Sequence, residues 1–249
     1  MSGHSKWHSI KHKKGAADAK RGKLFAVLIR QIEIAARSGG GDPTSNATLR
    51  SMIQKARDNS LPVDTIQRAI KRGTGEEEGV VYEQVSYEGY AASGVAVIVQ
   101  ALTDNRNRTS AEIKNIFSRN GGSFAEPGAV SWQFERKGVV LVDKSADEDE
   151  LTLAAADAGA EDVQDLGDSW QVTTPPTELH AARTAIEEAG FKVKSSDLTM
   201  IPTTSVALDA EDKAKSVLRL MDALEEHDDV EAVYANFDIP DAVLEAVSA

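Results

Sequence analysis

The chain has 249 residues, room for more than one domain, with 41% hydrophobic and 27% charged side chains, the balance of an ordinary globular protein. It holds no cysteine, which excludes disulfides, thiolate zinc sites and a cysteine nucleophile, and no apolar run approaches the roughly 18 residues of a membrane span. The net charge of −12 hides a split: residues 1–75 carry 15 Lys/Arg against 5 Asp/Glu, net +10, and the remainder 13 against 35, net −22. A basic module joined to an acidic body points to one end built to meet a polyanion, and to binding rather than catalysis.

From the N-terminus, Ser5 to Lys14 interleaves Lys6, Lys11, Lys13 and Lys14 with Trp7, His8 and His12. Lysines supply phosphate contacts that ignore sequence, and the Trp7 ring can stack on an exposed base. The plain alternative is a solvated basic tail, but the basic faces of the helices that follow extend the same positive surface. His4, His8 and His12 would share one helix face, as zinc ligands can. No carboxylate precedes Asp18 and the lysines would repel a dication, so no metal and no cofactor is expected. Against a signal peptide, the apolar run Leu24–Ile29 ends at Arg30 with no cleavage pattern close after it; a transit peptide is the stronger alternative, because residues 1–17 lack acids. A cytoplasmic protein that keeps its N-terminus is expected.

Residues 16–38 carry helical periodicity: Leu24, Leu28, Ile32 and Ala35 form an apolar stripe, with Lys20 and Arg21 near the start. Lys23, Arg30 and Arg37 fall on a second line, expected to face solvent. Ser38 to Pro43 breaks the helix; its three glycines lack the Gly-Lys-Ser/Thr and the preceding strand of a phosphate loop. A second helix is predicted near 45–59 with Arg50 and Arg57 outward. A third is predicted from Pro62 to Gly73, with Ile66 and Ile70 inward and Arg68, Lys71 and Arg72 outward. Three short amphipathic helices make a bundle with a basic outer face.

From Val80 the period changes to two, giving strands 82–88 and 94–102, a helix 109–119 and a strand near 130–134. Between them, Asp104 to Thr109 supplies a polar helix start, and Arg106 and Arg108 add cations with structural and binding roles equally open. Residues 137–201 then run β-α-β-β-α-β, the ferredoxin-like order. A strand 205–208, a helix 212–226 and a strand 232–237 follow, as partners for the sheet begun at Val80. The expected fold is therefore α+β in three domains. A basic helical domain spans 1–78, a middle α+β domain spans 79–136 plus 202–249, and a ferredoxin-like domain, 137–201, is inserted between the two halves.

No constellation suggests catalysis. His180 and His227 sit on polar helix sides, where a surface role is the default, and the acidic runs read as solvated helix ends. A hydrolase would need acids converging in a pocket.

Five separated motifs, in order along the chain, carry a resemblance: Ser2-Gly3-His4-Ser5-Lys6-Trp7-His8, Arg21-Gly22-Lys23, Tyr87-Glu88-Gly89-Tyr90, Leu102 to Thr109, and Asp229 to Phe237. Together they resemble the YebC/PmpR family, whose mitochondrial relatives act as translational activators of a cytochrome oxidase subunit. The resemblance implies a non-enzymatic, three-domain protein that binds DNA as a transcriptional regulator. The alternative it implies is a ribosome-associated factor that binds ribosomal RNA and helps translation through proline runs. Where the family has Gly-Pro and a further Gly after Tyr90, this chain has Ala91-Ala92-Ser93-Gly94, and Ser123 to Gly128 replaces a more glycine-rich stretch. Both changes stiffen loops of the middle domain, while the basic N-terminal motif is intact.

Overall fold

The computed structural model describes residues 17–248, with side chains from Gly22 onward except at 241, 244, 245 and 248. The segment holding Lys6, Trp7, His8, Lys11, His12, Lys13 and Lys14 lies outside the described residues, as do the side chains of Lys20 and Arg21. The chain mixes helices with mainly antiparallel sheets and divides into two compact units, Phe134–Thr203 and the residues flanking it.

The flanking unit begins with three helices, α1 (Ala17–Gly39), α2 (Ala47–Asp58) and α3 (Val63–Thr74). Their heptad-like spacing buries Leu28, Ile32, Ala35 and Ala36 of α1 against Leu49, Ile53 and Ala56 of α2 and Ile66 and Ala69 of α3. Leu24, placed on the apolar stripe by its spacing, instead stays 36% exposed. Asn46 fixes the α1–α2 corner: its Oδ1 caps α2 at Leu49 N (3.0 Å) and its Nδ2 donates to Ala35 O and Gly40 O. α1 and α3 touch backbone to backbone at Gly73, where a Cβ would sit 2.5 Å from Glu33 O.

The same unit continues with β1 (Glu83–Tyr90), β2 (Ala96–Thr103), α4 (Arg106–Arg119) and β3 (Ser123–Ala125). Helix α4 starts three residues earlier than its apolar period suggests, because Asn105 Oδ1 accepts from Arg108 N at 3.1 Å and sets the cap there. The β1–β2 turn holds Ser93 at φ 62, a left-handed conformation that costs any residue with a Cβ.

The second unit contains β4 (Phe134–Asp143), α5 (Glu148–Asp157), β5 (Asp162–Asp165), β6 (Ser169–Thr174), α6 (Leu179–Glu188) and β7 (Val193–Pro202). Its sheet order is β5-β6-β4-β7, antiparallel throughout, and Val140, Val142, Leu151, Trp170, Val172 and Ile186 form its core. The sequence pattern suggests strands at 130–134 and 139–142. Instead, Ser131–Gln133 is a turn of 3₁₀ helix and Phe134–Asp143 is one strand. Gly138 lies within that strand, and glycine suits the position because a Cβ there would meet Thr174 Oγ1 at 2.4 Å.

The chain then returns to the flanking unit with β8 (Val206–Ala207), α7 (Glu211–Glu226), β9 (Val230–Ala235), β10 (Phe237–Asp238) and α8 (Asp241–Ser248). β9 hydrogen-bonds to β2, completing a sheet of order β3-β1-β2-β9, and β10 pairs in parallel with β8. Helices α4 and α7 cover this sheet through Ile113, Phe117, Val217, Leu220, Met221 and Leu224. Among the described residues no helix is long and apolar enough to cross a membrane.

Candidate nucleic-acid interface

The cations of the first three helices divide into two groups. Arg50 and Arg57 of α2, and Arg68 and Lys71 of α3, are exposed on the sides opposite the buried Leu49, Ile53, Ile66 and Ala69. None of the four makes an ion pair with an acid among the described residues. Arg106, at the start of α4, is exposed as well.

Lys23, Arg30 and Arg72 are engaged within the chain, which corrects the outward placement expected of them. The Lys23 ammonium donates to Glu225 O and, at 2.5 Å, to His227 O at the end of α7. Burial lowers its pKa, against the pull of Asp228 and Glu225. Arg30 donates to Asp228 O at 2.8 Å and lies 5.3 Å from the centre of the Tyr82 ring. Arg72 meets the buried Glu33 carboxylate at 2.6–2.7 Å, tying α3 to α1.

The α4 cap and the start of β9 come together around Asp229. Its Oδ2 accepts from Thr109 Oγ1 at 2.6 Å and from Arg108 Nη2 at 2.7 Å. Burial raises the Asp229 pKa, but the bonds from Thr109 and Arg108 outweigh it and hold the carboxyl below its usual range. Arg108 also meets Asp104 at 2.9 Å, and His227 Nε2 lies 2.8 Å from Glu112 Oε2. Asp104, Arg108, Glu112, His227 and Asp229 line a cavity of about 460 Å³ together with Arg30, Tyr82 and Asp228.

Acids do converge here, but as an ion-pair network. A carboxylate kept anionic by two donors is poorly suited to deliver a proton near neutral pH. Glu112, His227 and Asp229 also approach within 4.8 Å, close enough to be tested as metal ligands. His227 Nδ1 accepts the Asp229 backbone N–H at 3.1 Å, which leaves the ring proton on Nε2, the atom that would have to bind the ion. With Asp229 already taken by Arg108 and Thr109, the donor set does not fit a metal.

Residues 5–76 match the family described as TACO1/YebC protein N-terminal domain, and residues 82–237 match TACO1/YebC second and third domain. The chain belongs to the TACO1/YebC family. A relative from Halothermothrix orenii is 53% identical over 251 aligned residues, covering 100% of this chain and 99% of its own. Another, from Rubrobacter xylanophilus, is 56% identical with 100% of both chains covered. Both carry the name "probable transcriptional regulatory protein". The crystal structure of a conserved hypothetical protein from Aquifex aeolicus is similar with a TM-score of 0.85 at 46% identity, over 93% of this chain and 96% of that one.

The TACO1/YebC motifs noted in the sequence acquire physical roles. Arg108, Thr109 and Asp229 form the network above. Glu88 is buried, and its carboxylate accepts the N–H groups of Gly128 (2.7 Å), Val130 (2.6 Å) and Ser131 (3.0 Å). Burial raises its pKa, but those three N–H groups more than compensate and hold it below the usual range. Glu88, Glu112, Asp229 and Glu231 were not predicted as site residues. For Glu88 and Glu231 the available signal is a single acid within a strand; Glu112 lies on a helix and Asp229 in an acidic run, and periodicity does not show what an acid bonds to.

Proposed function

We propose that this protein is a non-enzymatic regulator of gene expression that grips nucleic-acid phosphates with the outer faces of α2 and α3. The observation that carries this is the exposed set Arg50, Arg57, Arg68 and Lys71, unpaired with acids among the described residues, on a module of net charge +10. Lys6, Lys11, Lys13 and Lys14, ahead of α1, extend that charge, with Trp7, His8 and His12 as stacking or phosphate-contacting partners. Lys20, Arg21 and Arg106 add further cations, whereas Lys23, Arg30, Arg72 and Arg108 chiefly hold the chain together. The relatives' name is that of transcriptional regulators, a role DNA binding would serve, and Gln67, Arg68 and Lys71 of α3 would then be the side chains to read base edges.

A second reading, ribosomal RNA, is favoured by the charge split. A body of net −22 is repelled by long flanking duplex, whereas a basic tip can enter an RNA-lined cavity while the body stays outside. The domain plan that goes with either reading is a basic helical domain (1–78), a middle domain (79–136 plus 202–249) and an inserted ferredoxin-like domain (137–201). It is supported by β9 joining β2 and by the β5-β6-β4-β7 order.

The test is sucrose-gradient sedimentation of the protein with ribosomes, beside a footprint on genomic DNA. A discrete footprint without co-migration supports a transcriptional regulator, and co-migration without a footprint supports the ribosomal reading. The absence of both a footprint and co-migration would overturn both readings.

A further inference from the structure

Where α1 meets β9, the Gln31 Nε2 amide donates to Glu231 Oε1. The other oxygen of each side chain, Gln31 Oε1 and Glu231 Oε2, is buried and finds no donor among the described residues. Two orphaned acceptors on a bonded pair are unusual, because buried polar atoms are nearly always satisfied. One proton accounts for both. On Glu231 Oε2 it makes a carboxylic acid whose O–H donates to Gln31 Oε1, while the amide N–H already donates to Glu231 Oε1.

We propose that Glu231 is a neutral carboxylic acid in the folded protein and closes a cyclic acid–amide pair with Gln31, a proton-dependent latch between α1 and the central sheet. The proton comes from solvent when the latch closes and returns to it on opening. Burial favours the neutral acid, and the neighbouring charges do not outweigh it. Burial raises the carboxyl above its ordinary range, against the Gln31 hydrogen bond and the Lys55 charge on α2, which both favour the anion. On α1, Lys23 and Arg30 are directed at Glu225 O, His227 O and Asp228 O at the end of α7. On β9's own approach, Asp229 is held by Arg108 and Thr109. β2, the neighbouring strand, sets Gln100 and Ala101 opposite Ala232 and Val230, with no ionisable side chain there.

The sign follows from the raised value. The latch is closed below the ordinary carboxylate range and is lost as pH rises through the folded pKa. Above it, a buried anion faces an amide oxygen, and the hold between the basic helices and the sheet weakens.

The test is a ¹³C NMR titration of glutamate Cδ in the full chain, with hydrogen exchange of α1 amides across the same pH range. Exchange is compared in wild type and Glu231→Gln, whose amide–amide pair closes the same ring without a titrating proton. Glu231 is expected to titrate above the other glutamates. Protection of α1 is expected to fall by up to about tenfold per pH unit through that midpoint, the slope of one proton. Glu231→Gln is expected to keep its protection with no step. Titration of Glu231 in the ordinary carboxylate range, or the same exchange step in Glu231→Gln, would overturn the latch. Neither readout involves nucleic acid, so its failure is separate from failure of the proposed function.

Discussion

Arg108 Nη2 lies 2.7 Å from Asp229 Oδ2 and joins residues 121 apart in sequence, with the buried Thr109 hydroxyl on the same oxygen at 2.6 Å. The pair links the cap of α4 to the first turn of chain before β9. Thr109→Val keeps the shape but takes a donor from a buried carboxylate. It is expected to cost about 1.5–3 kcal/mol in urea unfolding, the range for hydrogen bonds to charged groups.

Acid should act through the same carboxylate. Because the folded pKa of Asp229 is depressed, its contribution is present above the ordinary aspartate value and is lost as pH falls through the folded one. Asp229→Asn is expected to be less stable than wild type at neutral pH and to lose less on acidification. Parallel acid limbs in urea midpoint against pH would show that Asp229 is not the linked group.

Gly73→Ala places a methyl 2.5 Å from Glu33 O and 2.7 Å from Ala36 Cβ, where two helix backbones meet. Neither neighbour is the free end of a flexible chain. Overpacking of about 1–3 kcal/mol is expected, read as a lower melting temperature.

Ser93→Gly works in the opposite direction. Ser93 holds φ 62 in the β1–β2 turn, at the stretch where the family resemblance leads one to expect glycine. Glycine adopts that angle freely, so the substitution is expected to raise unfolding stability by about 1 kcal/mol.

Much of the fold was legible because it depends on local periodicity. Leu28, Ile32 and Ala35, and then the alternation in β1 and β2, specify helix and strand with no knowledge of partners. What was hidden depends on distant neighbours. Helical spacing set Lys23 and Arg30 away from the apolar stripe, but it could not show that the carbonyls of Glu225, His227 and Asp228, about 200 residues on, cover that line. The Arg72–Glu33 pair, 39 residues apart, was hidden for the same reason. Strand β3 is three residues long, too short to show a period, and is held by pairing with Gly89 and its neighbours. His227, whose place on a polar helix side suggests a surface role, is fixed between Glu112 and the Asp229 backbone.

The central claim is that phosphates are held by the outer faces of α2 and α3. The most direct measurement is binding of labelled duplex DNA and of an RNA hairpin against salt, for wild type and for a variant with Arg50, Arg57, Arg68 and Lys71 all changed to Glu. Each phosphate contact contributes about −0.9 to the log–log salt slope on duplex DNA, so losing four contacts is expected to make the slope shallower by about 3.5. Affinity at moderate salt is expected to collapse with it. A variant that keeps the wild-type affinity and slope on both ligands would contradict the account.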